Sequence, residues 1–334
     1  MTLMEATTER IDPASQAAAA PAAPRALAVV FEAPGRLALE SLALDAPTED
    51  DVVVDIDWSG ISTGTERLLW SGRMPAFPGL GYPLVPGYES VGRVREAGQR
   101  TGLSRGDAVF VPGATCFGAV RGLFGGAASR VVLPAARAFA IDGASDERCA
   151  LLALAATAHH AVQAAATPPE LVVGHGVLGR LIARIAALRG ASPVVWETDA
   201  ARRDGAAGYR VLEPAADARL DYRAICDASG DAGLLDALIA RLAPGGQIVL
   251  AGFYERALSF AFAPAFMREA SLRVAAQWQP ADLVAVRDLA ASGRLSLDGL
   301  ITHRSDARGA QAAYRTAFGD PACLKMVLDW RACR

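Results

Sequence analysis

The stretch Leu171–Gly179 reads LVVGHGVLG, a short apolar strand followed by three glycines in the spacing G-x-G-x-x-G. This spacing is informative only where a strand precedes it and a helix follows, and residues 178–189 have the apolar spacing of a helix. The three glycines allow a tight turn, an approach of the backbone to a pyrophosphate, and close packing of the helix on the strand. The sequence therefore predicts a dinucleotide-binding loop made of Gly174, His175, Gly176, Val177, Leu178 and Gly179. We expect His175 to be a spacer beside the phosphates rather than a catalytic group.

An acidic residue, Glu197, follows the next predicted strand and lies eighteen residues beyond Gly179. Its carboxylate can accept hydrogen bonds from both ribose hydroxyls and would repel a 2′-phosphate, so we expect NAD rather than NADP. Arg202 is expected close to the same ribose. Together with Arg203 it leaves open the alternative of a 2′-phosphate, which arginines can bind.

Strands and helices alternate around this loop. Helices are predicted over 150–166, 178–189 and 234–242, with strands at 171–173, 194–196, 224–227, 247–251 and 272–276. This alternation is typical of a parallel sheet, which binds ligands at the carboxyl ends of its strands. Ser229 and Gly252 follow two of these strands, so we expect both at the cofactor site. Helices at 281–292 and 306–318 and a strand at 324–328 complete the prediction.

The chain before the alternating strands and helices has a different sequence pattern. Residues 26–143 contain short strand-like runs, such as 26–31 and 52–57, separated by many Gly and Pro residues. This pattern predicts a compact, barrel-like β module. The 334 residues correspond to about two domains at roughly 150 residues each.

The composition excludes several classes of protein. Apolar residues make up 52% of the chain and the net charge is −3, which argues against both a disordered chain and a nucleic-acid partner. Lys325 is the only lysine, so a Walker A loop is absent, and no tyrosine has a lysine four residues later, as a short-chain dehydrogenase requires. The five cysteines contain no C-x-x-C pair, which favours reduced thiols over a zinc ribbon.

The ends of the chain and its hydropathy bear on location. No apolar run reaches the roughly 18–20 residues of a transmembrane helix. Residues 1–25 are rich in Ala and Pro and lack the basic start and apolar core of a secretory signal. We expect these residues to form a disordered tail, and the protein to be cytoplasmic with no transmembrane segment.

Four segments resemble the medium-chain dehydrogenase/reductase superfamily. They are GYESVGRV at 87–94, GDAV at 106–109, PGG at 244–246 and LITH at 300–303. The resemblance spans nearly the whole chain and implies an α/β fold, with a GroES-like β-barrel catalytic domain and a Rossmann domain with a doubly wound parallel sheet. It places the catalytic domain at 26–145 and 278–334 and the NAD-binding domain at 146–277.

The resemblance also implies where zinc would bind in an alcohol dehydrogenase of this superfamily. The matching positions here are Ser62, Tyr88 and Leu154, and the four-cysteine structural zinc lobe is missing. Zinc prefers thiolate, imidazole or carboxylate ligands, so we expect no metal at this position. A rebuilt site that uses Glu89, the two histidines at 159 and 160, or Cys116 remains an alternative.

Without zinc, another group must take the hydroxyl proton when a substrate alcohol is oxidised. We expect Tyr88, His159 or His160 to be the acid/base, and Ser62 or Thr63 to position the hydroxyl. Glu89 comes from the same segment as Tyr88 and is included among the candidate catalytic residues.

Two longer runs resemble one family within this superfamily, the bacteriochlorophyllide dehydrogenases of bacteriochlorophyll synthesis. They are WSGISTGTERLLWSGRMP at 58–75 and GYPLVPGYESVGRV at 81–94. The resemblance implies NAD-dependent oxidation of a ring-A 1-hydroxyethyl group to acetyl on a magnesium tetrapyrrole, a step that serves photosynthesis. Arg67 or Arg73 is then a candidate for holding the propionate carboxylate of the macrocycle.

Two other functions stay open at this point. One is a zinc-free quinone or enone reductase of the same superfamily, and the other is a non-catalytic protein that binds a dinucleotide or a tetrapyrrole. A homodimer is compatible with the resemblance, since dimers are common in the superfamily.

Overall fold

The computed structural model describes residues 24–141 and 146–334. The tail predicted at 1–25 falls outside the described residues except for its last two positions. Within the described ranges, no helix is long and apolar enough to cross a bilayer.

The N-terminal part is built from short strands and one short helix. These elements are β1 Arg25–Ala33, β2 Arg36–Ala43, β3 Asp51–Ile61, α1 Thr65–Ser71, β4 Leu84–Val85, β5 Ser90–Ala97, β6 Ala108–Val111, β7 Arg121–Gly122, β8 Arg130–Pro134 and β9 Phe139–Ala140. Strand β3 is central because both of its edges are paired, and most of its residues are buried on both faces. The barrel-like β module predicted for this region is confirmed.

The parallel sheet follows, with helices between its strands. These elements are α2 Leu152–Ala164, β10 Leu171–Val173, α3 Val177–Leu188, β11 Val194–Trp196, β12 Arg210–Leu212, β13 Tyr222–Asp227, α4 Leu235–Ala240, β14 Leu242–Leu250, α5 Phe262–Met267, β15 Ser271–Val274 and α6 Pro280–Ala291. The six strands lie in the order β12-β11-β10-β13-β14-β15 and every pair is parallel. This arrangement confirms the predicted α/β fold.

Alternate residues of the parallel strands enter two different cores. Val172 and Cys226 pack with α2, α3 and α6, whereas Val173 and Ile225 pack with α4. Successive side chains of a strand point to opposite faces, so the helices cover both sides of the sheet. This two-sided burial explains why the strands are continuously apolar.

The chain then returns to the first module through β16 His303–Asp306, α7 Ala310–Gly319 and β17 Met326–Asp329. Strand β17 pairs antiparallel with β3, and Met326 lies opposite Ile61. The return places Lys325 beside the end of β3, where Ser62 begins the next segment.

Several element predictions were wrong in their bounds. The helix predicted over 234–242 ends at Ala240, because Leu242 already belongs to β14. The helix predicted from residue 306 begins at Ala310, because 303–306 pair with β17. The prediction missed α1, α5 and β12, which are too short for a clear period. Helix α6 packs into a core shared by α2, α3 and residues of β5 and β6, and the predicted domain boundary at 278 stays a prediction.

Candidate active site

Two segments of the β module meet at a pair of hydroxyl groups. Ser62 follows β3 and Tyr88 precedes β5, and these antiparallel strands pair Ser59 with Ser90. The register brings the Ser62 Oγ to 2.6 Å from the Tyr88 hydroxyl oxygen, and either atom can be the donor. The structure therefore joins two of the residues predicted at the site, while Thr63 lies next to them and is half-buried.

Tyr88 stands in an apolar setting. Its ring meets the ring of Phe124 edge to face, with centroids 5.6 Å apart. Burial, reinforced by the negative charge of Glu89, raises the pKa of the Tyr88 phenol well above its usual value. Tyr88 therefore stays a neutral phenol near pH 7, and its role as the acid/base stays a prediction. It can still donate a hydrogen bond and relay a proton.

Glu89 also differs from expectation, because its carboxylate is bound to a lysine. Lys325 Nζ donates to Glu89 Oε2 at 2.7 Å, to Oε1 at 3.0 Å and to the carbonyl of Ile61 at 3.1 Å. Both side chains are buried, at 0% and 2% exposure. A Cβ at residue 60 would overlap Glu89, so Gly60 leaves the space that the carboxylate fills. Glu89 is thus a paired structural charge rather than an acid/base.

Glu66 is a second buried carboxyl of the same cluster, and the sequence analysis did not select it. The Ser62 amide donates to Glu66 Oε1 at 3.0 Å, and the Tyr314 hydroxyl donates to Oε2 at 2.8 Å. The residue is 1% exposed, and burial raises its pKa to about 7. Glu66 is therefore a group of this cluster whose protonation changes near neutral pH.

The structure places His159 and His160 apart from the hydroxyl pair. Both lie in α2, and their Nδ1 atoms are 2.7 and 3.0 Å from the two oxygens of Asp282. Asp282 also accepts from the Gln279 amide and closes the first turn of α6. No hydrogen bond joins either histidine to Ser62 or Tyr88 in the described parts of the chain, so the histidines tie α2 to α6.

The donor set does not suit zinc. At the positions matched to zinc ligands stand two hydroxyls bonded to each other and the alkyl side chain of Leu154. Across residues 24–141 and 146–334, no three His, Cys, Asp or Glu residues come together as a metal site. The Glu89 carboxylate, a ligand of the alternative rebuilt site, is already bound to Lys325 and is therefore not free to hold a metal.

The predicted dinucleotide loop has the backbone geometry that such a loop requires. Gly174 has φ +94°, a conformation that favours glycine, and a Cβ at Gly179 would overlap the carbonyl of Gly174. Gly176 caps α3 with no side-chain hydrogen bond, and a Cβ there would meet nothing within 4 Å. The N–H groups of Val177 and Leu178 open α3, where a helix has unpaired donors. These residues fit a pyrophosphate.

The side chain of His175, predicted to be a spacer rather than a catalytic group, is bound within the protein. Its imidazole is buried, with Nδ1 2.6 Å from the carbonyl of Arg202 and Nε2 2.8 Å from the Tyr209 hydroxyl. Burial lowers its pKa to about 4, so the ring is neutral. The Arg180 guanidinium donates to the carbonyls of His175 and Gly205. The buried side chain therefore supports the loop through its contacts with Arg202 and Tyr209.

Glu197 directly follows β11 and lies next to this loop. It accepts from the His175 amide at 3.1 Å and from the Asp199 amide at 2.9 Å. The two nearby arginines are occupied, since Arg203 donates to the Glu197 carbonyl and Arg202 donates to the carbonyl of Pro321. These contacts hold the carboxylate at the loop and bind both arginines to backbone carbonyls.

The ends of β13 and β14 complete the cofactor side. Ser229 donates from its hydroxyl to Asp227 Oδ1 at 2.6 Å. A Cβ at Gly252 would come within 2.8 Å of the Gly230 amide, so these two turns are closely packed. Both predicted residues lie at the carboxyl edge of the parallel sheet, where such folds bind ligands.

Fold and site together define a medium-chain dehydrogenase/reductase. A family model described as the alcohol dehydrogenase GroES-like domain matches residues 48–143. The chain is 57% identical to 2-desacetyl-2-hydroxyethyl bacteriochlorophyllide A dehydrogenase of Cereibacter sphaeroides, over 92% of this chain and 99% of that protein. It is 58% identical to the protein of the same name from Rhodobacter capsulatus, over 91% and 98%. The chain belongs to this family of bacteriochlorophyllide dehydrogenases.

Solved structures support the architecture. An oxidoreductase of unknown specificity from Escherichia coli gives a TM-score of 0.81 at 20% identity, over 92% of this chain and 99% of that one. An alcohol dehydrogenase from the same species, solved with NADH, gives 0.79 at 20% identity over 91% and 99%. At this identity the likeness concerns the fold alone, and it confirms the two-domain prediction of fold class.

Proposed function

We propose that this enzyme oxidises the ring-A 1-hydroxyethyl group of a bacteriochlorophyllide to acetyl and passes the hydride to NAD⁺. The observation that carries the proposal is the identity of 57% and 58% to two dehydrogenases named for that substrate, over nearly the whole chain. The hydroxyl pair of Ser62 and Tyr88 supports it, because an alcohol oxygen needs such donors and acceptors.

The choice of NAD over NADP rests on Glu197, the residue that follows β11. Glu197 is held by two backbone amides beside the loop, and its remaining lone pairs would accept hydrogen bonds from the hydroxyls of an NAD ribose. Arg202 and Arg203 are engaged with backbone carbonyls, which weakens the alternative of a 2′-phosphate. Bound NAD⁺ supplies the hydride acceptor.

The alcohol proton must leave as hydride departs from carbon. We assign Tyr88 and Ser62 to holding the substrate oxygen, with Tyr88 receiving the proton as it passes its own to the Ser62 oxygen. The Ser62 backbone amide also donates to Glu66 Oε1, which holds this carboxyl next to the hydroxyl pair, and we assign Glu66 as the group that takes the proton from the Ser62 hydroxyl. Because its pKa is about 7, Glu66 can hold that proton near neutral pH.

The test of the overall reaction uses purified protein, NAD⁺ and the hydroxyethyl substrate. We expect NADH and a red-shifted product in equal amounts, and a lower Michaelis constant for NAD⁺ than for NADP⁺.

Tyr88→Phe should slow turnover by roughly 100-fold, because the relay loses its first hydroxyl. Reduction of small quinones by NADPH without alcohol oxidation would favour the reductase, and pigment binding without turnover would favour the non-catalytic carrier. Loss of activity when metals are chelated, with recovery when zinc is added, would refute the proton relay through Tyr88, Ser62 and Glu66.

We also propose a homodimer formed at the edge of the parallel sheet. Strand β15 has only β14 as a neighbour in the described sheet, and its Val274 is exposed. Beside it, Phe262, Phe266 and Met267 are exposed on α5. An unpaired edge next to an apolar patch is a surface that another copy can cover. Light scattering on wild type and Val274→Asp tests this, with a monomeric wild type as the contrary result.

A cytoplasmic location is the remaining part of the proposal. All five cysteines are free, which a reducing compartment favours. Fractionation of the native cells tests it, and recovery of the protein in the periplasm would contradict it.

A further inference from the structure

An ion pair joins the two walls of the proposed active site. Arg73 lies just beyond α1, the helix that begins three residues after Ser62. Glu255 lies just beyond β14, at the sheet edge that holds Gly252. The Arg73 Nη1 atom is 3.4 Å from Glu255 Oε2. One partner thus belongs to the substrate side and the other to the cofactor side.

We propose that Arg73 binds the propionate carboxylate of the tetrapyrrole and that Glu255 occupies the same guanidinium until substrate arrives. The inference rests on the proposed function and extends it to the recognition of a second part of the substrate. A bacteriochlorophyllide carries its hydroxyethyl group and its free carboxylate on the same rigid macrocycle. An anchor at the carboxylate therefore fixes how the carbinol reaches Ser62 and Tyr88.

The ion pair is suited to exchange. The Arg73 and Glu255 side chains are 50% and 38% exposed, and an exposed ion pair contributes little to stability. An incoming carboxylate can thus replace Glu255 at little cost. Arg73 Nε donates to Ser71 Oγ at 3.1 Å, which steadies the guanidinium while its terminal nitrogens stay available for a bidentate contact.

The surroundings fit a flat apolar ligand with one acidic edge. Phe77 follows Arg73 by four residues, Phe253 precedes Glu255 by two, and Phe124 packs on Tyr88. All three phenylalanines are exposed. Large exposed aromatics on both walls are typical of a binding cleft. Arg73 lies four residues before Phe77 and carries the charge opposite to that of a propionate.

The experiment compares the free-acid substrate with its propionate methyl ester, in wild type and in Arg73→Gln. Arg73→Gln should raise the Michaelis constant for the free acid at least ~10-fold, because a charge-assisted bond is lost. It should leave the constant for the ester and for NAD⁺ unchanged. Glu255→Gln should lower the constant for the free acid only, because the competing carboxylate is gone. Arg73→Lys should fall between wild type and Arg73→Gln.

The matched control is Arg100→Gln, which removes another exposed arginine paired with carboxylates, Asp50 and Glu49, on the β module. It should behave as wild type with both substrates. An equal effect of Arg73→Gln on acid and ester would overturn the inference, as would discrimination by Arg67→Gln instead. A wild type that oxidises neither substrate would refute the proposed function itself, which is a different result.

Discussion

Glu66 and Glu89 are two buried glutamates of one cluster, and they differ in the groups that donate hydrogen bonds to them. Glu89 has an ammonium partner in Lys325, whereas Glu66 receives only the neutral donors Ser62 N–H and Tyr314 O–H. A buried carboxylate with a cation can keep its charge, but one with neutral donors bears the cost of burial as a raised pKa. The comparison separates a carboxyl paired with a cation from a carboxyl held by neutral donors, although the two residues share a site.

The largest expected effect comes from removing the cation. Lys325→Met leaves the Glu89 carboxylate buried without a partner, which should lower the free energy of unfolding by about 3–5 kcal/mol. Urea unfolding at pH 7 measures this. The double variant Lys325→Met with Glu89→Gln should recover much of the loss, since the unpaired charge is gone. A double variant as unstable as the single one would show that Lys325 matters for packing rather than for charge.

The next effect is the pH dependence that Glu66 gives to stability. Its folded pKa of about 7 lies above the usual 4.5, so the folded state binds the extra proton between these values. Stability from this group is therefore complete below pH 4.5 and declines as pH rises through 7. The decline amounts to about 3 kcal/mol between pH 4.5 and 8.

Glu66→Gln is the control for that decline, because its amide is neutral at every pH. The difference in urea stability between wild type and Glu66→Gln should change by the amount given above over this range. A constant difference would mean that Glu66 does not titrate in the folded state. In that case the contrast with Glu89 would fail.

A smaller effect on rate follows from the proton path. Glu66→Gln should reduce the turnover of alcohol oxidation roughly 100-fold, because the final acceptor is lost. The wild-type rate should rise through an apparent pKa near 7, since only the ionised Glu66 accepts, and the variant should lose this rise. His160→Asn is the alternative variant to measure. If it removes the rise while Glu66→Gln retains it, the proton acceptor is His160.

The cofactor loop could be predicted because its logic is local. Gly174, Gly179 and Glu197 lie within one strand-helix-strand unit, so their spacing carries the geometry. His175 is the exception within that unit. The sequence shows that it occupies the loop, but the direction of its ring depends on Tyr209, thirty-four residues away.

The hydroxyl cluster could be predicted only in part. Ser62 and Tyr88 were selected through resemblance, and the structure brings them together. Lys325 and Tyr314 are separated from their glutamates by 236 and 248 residues, and they arrive through the return of the chain along β17 and α7. No local pattern encodes such a contact. A lone lysine in the apolar run LKMVLDW at 324–330 was the one available signal.

The smallest expected effect comes from removing one of the two hydrogen bonds that Glu66 accepts. Tyr314→Phe removes a hydrogen bond that favours the ionised carboxylate, so the pKa of Glu66 should rise further. The rise of the oxidation rate should move to higher pH by about one pH unit, with the plateau unchanged. A pH-rate profile of kcat on the purified variant measures this. A lower plateau at unchanged pH would instead mean that Tyr314 positions Ser62 through packing, and the donors of Glu66 would not set its protonation.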